Sequence, residues 1–269
     1  MKWLFLVMVF LGGNAFPQEP PSWFTDTLLD LREDVADAAR QGKRMMVYFG
    51  QDGCPYCKRL MEVNFNDPAI VAKTRRHFVA LALNIWGDRE VTWTDGRTMS
   101  EKQLAAALKV QFTPTLVFLD EKGGVALRLN GYLPPERFLA ALDSALGKAA
   151  PAKPLAVKPG PKPTAVLVCG ACDELDRDFL KRPEVRAQLA KFALLRKKDR
   201  VDAQPSLVLF DKAGKEVFRT EAYLRPFHIA GALDYVGSGA YLQEPSFQRF
   251  LQARAERMKK QGLDVDLWK

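Results

Sequence analysis

Five residues of this chain return at one constant offset. Pro114, Asp120, Gly123, Tyr132 and Pro135 recur 91 positions later as Pro205, Asp211, Gly214, Tyr223 and Pro226. The runs around them match as well, Pro114-Thr-Leu-Val-Phe-Leu-Asp120 against Pro205-Ser-Leu-Val-Leu-Phe-Asp211, and both Cys57 and Cys172 precede a proline by 11 residues. This is an internal duplication, so the second half must follow the architecture of the first. The copy is shortened: Pro68 to Pro114 spans 46 positions and Pro183 to Pro205 only 22. Between the halves, residues 148–163 hold five prolines and four lysines with no periodic apolar face, the composition of a semi-extended linker. The expected organisation is a leader at 1–15, a first domain at 16–147, the linker at 148–163 and a second, shortened domain with a C-terminal helix at 164–269.

The leader rests on Met1-Lys2, the apolar run Trp3 to Leu11 and the small residues Gly13 and Ala15, the pattern of a signal peptide cleaved after Ala15. The run is short for a membrane-spanning helix, which needs ~20 residues. A buried N-terminal helix or an uncleaved anchor is the competing reading. Of the 269 residues, 48% are hydrophobic, which suits a packed core, and the formal charge is +8. Basic clusters at Arg196–Arg200 and Arg254–Lys260 read as solvated surface, and export argues against a nucleic-acid partner.

The first half alternates strand and helix signals. Ser22 to Arg40 reads as an amphipathic helix, Arg44 to Phe49 as a strand and Pro55 to Phe65 as a helix. Asp67-Pro68 opens another helix, followed by a strand at Phe78 to Leu83 and a hairpin around Asp95-Gly96. Ser100 and Gln103 form a capping box. Strands at Thr115–Leu119 and Val125–Leu129 and a helix at Pro134–Leu146 complete a mixed α/β pattern. The 24 residues missing from the second copy would hold the hairpin and the capping-box helix. That copy should lean an apolar face on the first domain or on the C-terminal helix Pro245–Lys260.

The chemistry sits in the cysteines. The four are arranged as Cys54-Pro-Tyr-Cys57 and Cys169-Gly-Ala-Cys172, a spacing that reads as redox or metal chemistry. Cys54 follows a strand and opens a helix, where unpaired N–H groups favour a thiolate and lower a thiol pKa. Lys58 and Arg59 add positive field. Cys57, Leu60, Met61 and Asn64 share one helical face, so Cys57 should point inward while Cys54 stays at the tip. Cys54 is the expected attacking thiolate and Cys57 the resolving thiol of a disulfide exchange.

Over most of residues 43–147 the chain resembles the thioredoxin superfamily: a strand, the C-x-x-C helix, a strand, a helix, then Thr113-Pro114 opening a strand. Gly53-Cys-Pro-Tyr-Cys57, Trp86-Gly-Asp, Thr113-Pro-Thr115 and Gly131-Tyr132 are similar to bacterial periplasmic thioredoxin-related proteins found with sulfur-oxidation systems, as is the tail around Tyr235, Tyr241 and Phe247. The resemblance implies two tandem thioredoxin-like domains, with mixed central sheets flanked by helices, and a periplasmic thiol-disulfide oxidoreductase. It implies a cis Pro114 beside the disulfide and Thr113, Pro114, Pro55 and Tyr56 as the residues that contact substrate. It also implies protein disulfides as substrates, a membrane thiol carrier as electron source, and no cofactor. Two features depart from the family: Tyr48 stands where a buried Asp is usual, and Gly53 replaces the Trp before the first cysteine.

Cys169 and Cys172 follow their strand without the loop of the first copy and are trailed by Asp173, Glu174 and Asp176, which oppose a thiolate. A structural disulfide and a second redox pair both remain open. Zinc is disfavoured because Cys57 and Cys169 lie far beyond the usual ~15–20-residue gap. Haem attachment lacks its His, since Lys58 and Asp173 occupy those positions. His77 and His228 read as packing or surface residues. Trp86 and Trp93 read as core or lid packing, or as a substrate-contacting surface. The rival function is a copper or redox-relay chaperone or adaptor that binds client proteins, with Cys54 and Cys57 as soft ligands for Cu(I).

Overall fold

Asp120, Gly123 and Pro135, like Asp211, Gly214 and Pro226, sit where the backbone turns or begins a helix. The computed structural model describes residues 19–147, 155–169, 180–198, 206–220, 224–263 and 265. The leader, linker residues 148–154, Cys172, Gln204, Pro205 and Tyr223 lie outside the described residues. Asp120 Oδ1 accepts the N–H groups of Lys122 and Gly124, and Asp211 Oδ1 accepts those of Ala213 and Lys215 in the same way. Gly123 and Gly214 then take φ values of 80° and 78°, a conformation that glycine adopts without steric cost. Pro68, Pro135, Pro183 and Pro226 each occupy the first turn of a helix, where a missing N–H is harmless.

The elements run α1 (Leu31–Arg40), β1 (Arg44–Gly50), α2 (Pro55–Arg59), α3 (Pro68–His77), β2 (Phe78–Asn84), β3 (Glu90–Thr92), β4 (Thr98–Ser100), α4 (Glu101–Ala107), β5 (Thr115–Leu119), β6 (Val125–Asn130) and α5 (Pro135–Ala145). The second half has β7 (Thr164–Cys169), α6 (Pro183–Leu189), β8 (Ala193–Lys198), β9 (Ser206–Phe210), β10 (Glu216–Thr220), α7 (Pro226–Gly237) and α8 (Phe247–Lys260). The first sheet has the order β2-β1-β5-β6, with β1 and β2 parallel and the other pairs antiparallel. The second has the order β8-β7-β9-β10 with the same directions. The fold is mixed α/β, two sheets flanked by helices. The β3–β4 hairpin and α4, whose capping box is formed, belong to the first half.

Strand β1 is buried on both faces. Met46 and Tyr48 pack under α2, α3 and α5 with Leu60, Ile70 and Phe138, while Met45, Val47 and Phe49 face Leu31, Val35 and Leu104. The second sheet closes differently. Ala165, Leu167, Leu207, Leu209 and Phe218 are covered by α7 and α8 and also by Phe112 from the first half, whose ring lies 5.5 Å from that of Phe218. Gln111 Nε2 donates to the Val217 carbonyl at 3.0 Å beside it. The second sheet thus leans on both the first half and the C-terminal helix.

Three local features differ from the sequence reading. Only Leu31–Arg40 of the segment Ser22–Arg40 is helical. Asp30 caps α1 through the Arg32 N–H, and Thr25 N–H donates to Ala80 O at 2.8 Å along the sheet edge. Trp23 and Phe24 fill a notch against Phe65, their rings 5.3 and 5.4 Å from it, so tertiary packing overrides the helical period. The helix from Pro55 continues from Leu60 to Asn64 as a π turn that still buries Leu60, Met61 and Asn64. The linker is anchored in its second part. Leu155 and Val157 pack on Val166, Val208 and Phe210, and Gly160 N–H donates to Lys212 O. Among the described residues no helix is long and apolar enough to cross a membrane, and no cluster of His, Cys, Asp and Glu could hold a metal.

Truncating Phe112 opens a hole in the core of the other half. Phe112→Ala should cost ~3–5 kcal/mol in urea unfolding. A loss under about 1 kcal/mol would mean that Phe112 is not part of a shared core.

Candidate functional site

The loop after β1 turns through Gly53, at φ 70°, and delivers Cys54 to the N-cap of α2 in extended conformation. Pro55 follows at the first helical position. One turn later Cys57 closes a disulfide with Cys54 across a Cα–Cα separation of 5.2 Å. The two sulfurs have different surroundings. Cys57 is 1% exposed among Leu60, Met61 and Phe138, while Cys54 is 7% exposed and floors a cleft.

Two donors converge on the Cys54 sulfur. The Cys57 backbone N–H approaches Sγ at 3.1 Å and the Thr113 hydroxyl at 3.2 Å. The Thr113–Pro114 peptide is cis, and the Thr113 carbonyl oxygen sits 3.5 Å from the same sulfur. In the reduced protein both donors would stabilise charge on Cys54, since hydrogen bonds to an ionised acceptor are about twice as strong as neutral ones. The Cys57 N–H is one of the helix-start N–H groups that the sequence leads one to expect at the thiolate, with Lys58 and Arg59 adding to the field. Lys58 points to Glu62 at 3.7 Å and Arg59 stacks over Tyr132 at 5.0 Å, so neither charge is directed at the sulfur. Thr113 contributes its side chain as well as its backbone. The signal for this was a hydroxyl residue placed immediately before the proline.

Tyr48 packs with both cysteines, and its phenol folds back over Gly50, leaving no room for a Cβ there. Burial, helped by the charge of Asp52, pushes the phenol well above its ordinary value, so the group beneath the disulfide stays neutral.

The cleft over Cys54 has a volume of about 420 Å³. Pro55, Tyr56 and Thr113 line it, as sequence reasoning expected, whereas Pro114 is not among its lining residues. Trp86 joins them, 42% exposed and held by its Nε1–H to Gln51 Oε1 at 2.7 Å, with the Arg249 guanidinium 5.8 Å from its ring. Trp93 is core. The opposite wall comes from α7 and α8 and includes Phe227, His228, Leu251 and Gln252. Periodicity had not linked these residues to the site. His228 faces Tyr56 with ring centroids 6.4 Å apart, and its Nδ1 is buried without a hydrogen-bond partner. Burial and the nearby Arg225 push its pKa down to about 4. His77 lies at the end of α3, away from the cleft lining. Cys169 is the last residue of β7, buried and disulfide-bonded, and also outside the cleft lining.

A family model described as a thioredoxin-like domain matches residues 31–146. No curated protein matches the chain. A thioredoxin-fold protein from Helicobacter pylori is 34% identical over 38% of this chain and 68% of its own, with a TM-score of 0.34. A thioredoxin from Thermus thermophilus is 30% identical over 44% of this chain and 85% of its own, with a TM-score of 0.36. A putative disulphide-isomerase from Bacteroides thetaiotaomicron is 24% identical over 47% of this chain and 96% of its own, with a TM-score of 0.38.

Removing the Thr113 hydroxyl while keeping its shape tests the two-donor arrangement. Thr113→Val should slow iodoacetamide alkylation of reduced Cys54 at pH 7 by about tenfold, the worth of one charge-assisted hydrogen bond. An unaltered rate would show that the hydroxyl contributes nothing to the thiolate. His228 gives a pH signature. Above pH 6.5 the imidazole is neutral in both the folded and the unfolded chain. Between 6.5 and about 4 the unfolded chain takes up a proton that the fold refuses, so stability falls as pH falls. The difference in unfolding midpoint between wild type and His228→Phe should therefore change across that window. A constant offset would show that the imidazole titrates normally.

Proposed function

Through residues 31–146 this chain belongs to the thioredoxin superfamily, and on that premise we propose that it is an exported, periplasmic reductase of protein disulfides working through Cys54 and Cys57. The thioredoxin-like domain with its disulfide-bonded C-x-x-C pair makes it a thiol-disulfide oxidoreductase. The observation that carries the catalytic assignment is the pair of hydrogen-bond donors on the Cys54 sulfur. They favour the form of the cysteine that attacks, while burial keeps Cys57 in reserve.

In the reaction, the Cys54 thiolate attacks one sulfur of a substrate disulfide. A Cys54–substrate disulfide forms, the substrate S–S bond breaks, and the departing thiolate takes a proton from water. Cys57 then releases its proton to solvent and attacks Cys54 Sγ. The Cys54–Cys57 bond forms and the second substrate thiolate leaves. Two electrons pass from the protein dithiol to the substrate, and an external dithiol donor, of the kind a membrane thiol carrier would supply, restores the reduced pair. Thr113 and Pro114 shape the backbone beside the exchanging sulfur, and Pro55 and Tyr56 border the approach. Export rests on the Met1–Ala15 pattern.

The second half is read as a shortened copy of the first, which the shared strand order and directions support. Its Cys169 lies apart from the cleft and takes a structural role.

Trapping separates the roles of the two cysteines. Cys57→Ser should accumulate mixed disulfides with substrate, and Cys54→Ser should form none while losing turnover by on the order of a thousandfold or more. Equal trapping by both variants would exclude the assignment of Cys54 as the nucleophile.

A further inference from the structure

The cleft over the disulfide is built by both halves of the chain. Its near wall is the redox domain. Its far wall is Phe227 and His228 from α7 and Leu251 and Gln252 from α8. The walls are held together by the Phe112–Phe218 contact, the Gln111–Val217 hydrogen bond and the approach of Arg249 to Trp86. A folded partner offering a surface disulfide needs open ground around the attacked sulfur. Here that ground is occupied, and Cys54 keeps only 7% of its exposure. The remaining space of about 420 Å³ is the size of a small-ligand pocket. It is wide enough for a slender chain and too narrow for a domain.

We propose that the second half makes the redox site selective for cysteines carried on extended, unfolded peptide stretches, with His228 as a positioning residue that hydrogen-bonds the entering backbone. This rests on the reductase reading above, and its thiols and electrons move as described there. The Nδ1 of His228 is buried without a hydrogen-bond partner in a wall that also carries Phe227 and Leu251. Such a group costs stability until something pairs with it. The imidazole is neutral at physiological pH, so one ring nitrogen donates and the other accepts, which suits a peptide amide. Lys259 and Glu256 line the same cleft with opposite charges. Phe227 and Leu251 between them offer apolar contact to the residues beside the substrate cysteine.

The test uses the full-length reduced protein and one chemical group in two settings. The first probe is a short unstructured peptide with a single cysteine between apolar residues, joined to glutathione. The second is the same cysteine–glutathione disulfide on the surface of a folded domain. The peptide should be reduced with a kcat/KM about a hundredfold higher, the scale of a misplaced reacting sulfur. Gln252 is exposed on α8, so Gln252→Trp should narrow the cleft without disturbing a core. It should raise KM for the peptide about tenfold, as should His228→Phe. His228→Phe should do so without lowering the unfolding midpoint at pH 8, a combination that a purely structural histidine would not produce. Equal rates on both probes, with neither variant moving KM, would overturn the selectivity and leave the reductase intact. A reduced protein that turns over neither probe and alkylates no faster than a free thiol would overturn the reductase reading and this inference together.

Discussion

The second sheet cannot close its own core, and much of the molecule follows from that. Among the described residues, the β3–β4 hairpin and α4 beside the first sheet have no counterpart beside the second. The apolar residues Leu167, Leu209 and Phe218 are buried instead by α8 and by Phe112 reaching across from the first half. Phe112 stands one residue before Thr113 and two before the cis peptide bond. The residue that seals the second core is thus adjacent in sequence to the residue that donates to Cys54. Docking of the halves and shaping of the redox cleft are one packing event, driven by apolar burial.

That event also sorts the two cysteines. Cys57 is enclosed by its own helix face and needs nothing from the second half. Cys54, at the helix tip, looks into a space walled on its far side by α7 and α8. Its hydrogen bonds come from the redox domain, while its steric limits come from that domain together with α7 and α8.

The sequence made the repeats legible because their residues do local work: a proline opening a helix, an aspartate closing a turn, a glycine at positive φ. These roles depend on neighbours a few positions away. The C-x-x-C pair and Thr113-Pro114 were legible for the same reason, as fixed spacings with a known local consequence. What escaped depends on contacts between distant segments. Trp23 and Phe24 have a helical period, yet they leave the helix to fill a notch against Phe65. An added field on Cys54 is expected from Lys58 and Arg59 by proximity in sequence, but their side chains turn to Glu62 and Tyr132. His228 carried no local pattern at all. Its place beside Tyr56 exists only once two halves have docked.

The edges of the two sheets end differently. The outer strand of the first, β2, is bordered by the segment whose Thr25 N–H bonds to Ala80 O. The matching strand of the second, β8, is exposed along its whole length, with Leu194 and Leu195 facing water. An open strand with exposed leucines is a template for self-association. Arg196, Lys197 and Lys198 complete that strand. Lysine and arginine on an edge strand oppose its pairing with another chain, so the charge that follows the two leucines guards the edge they expose.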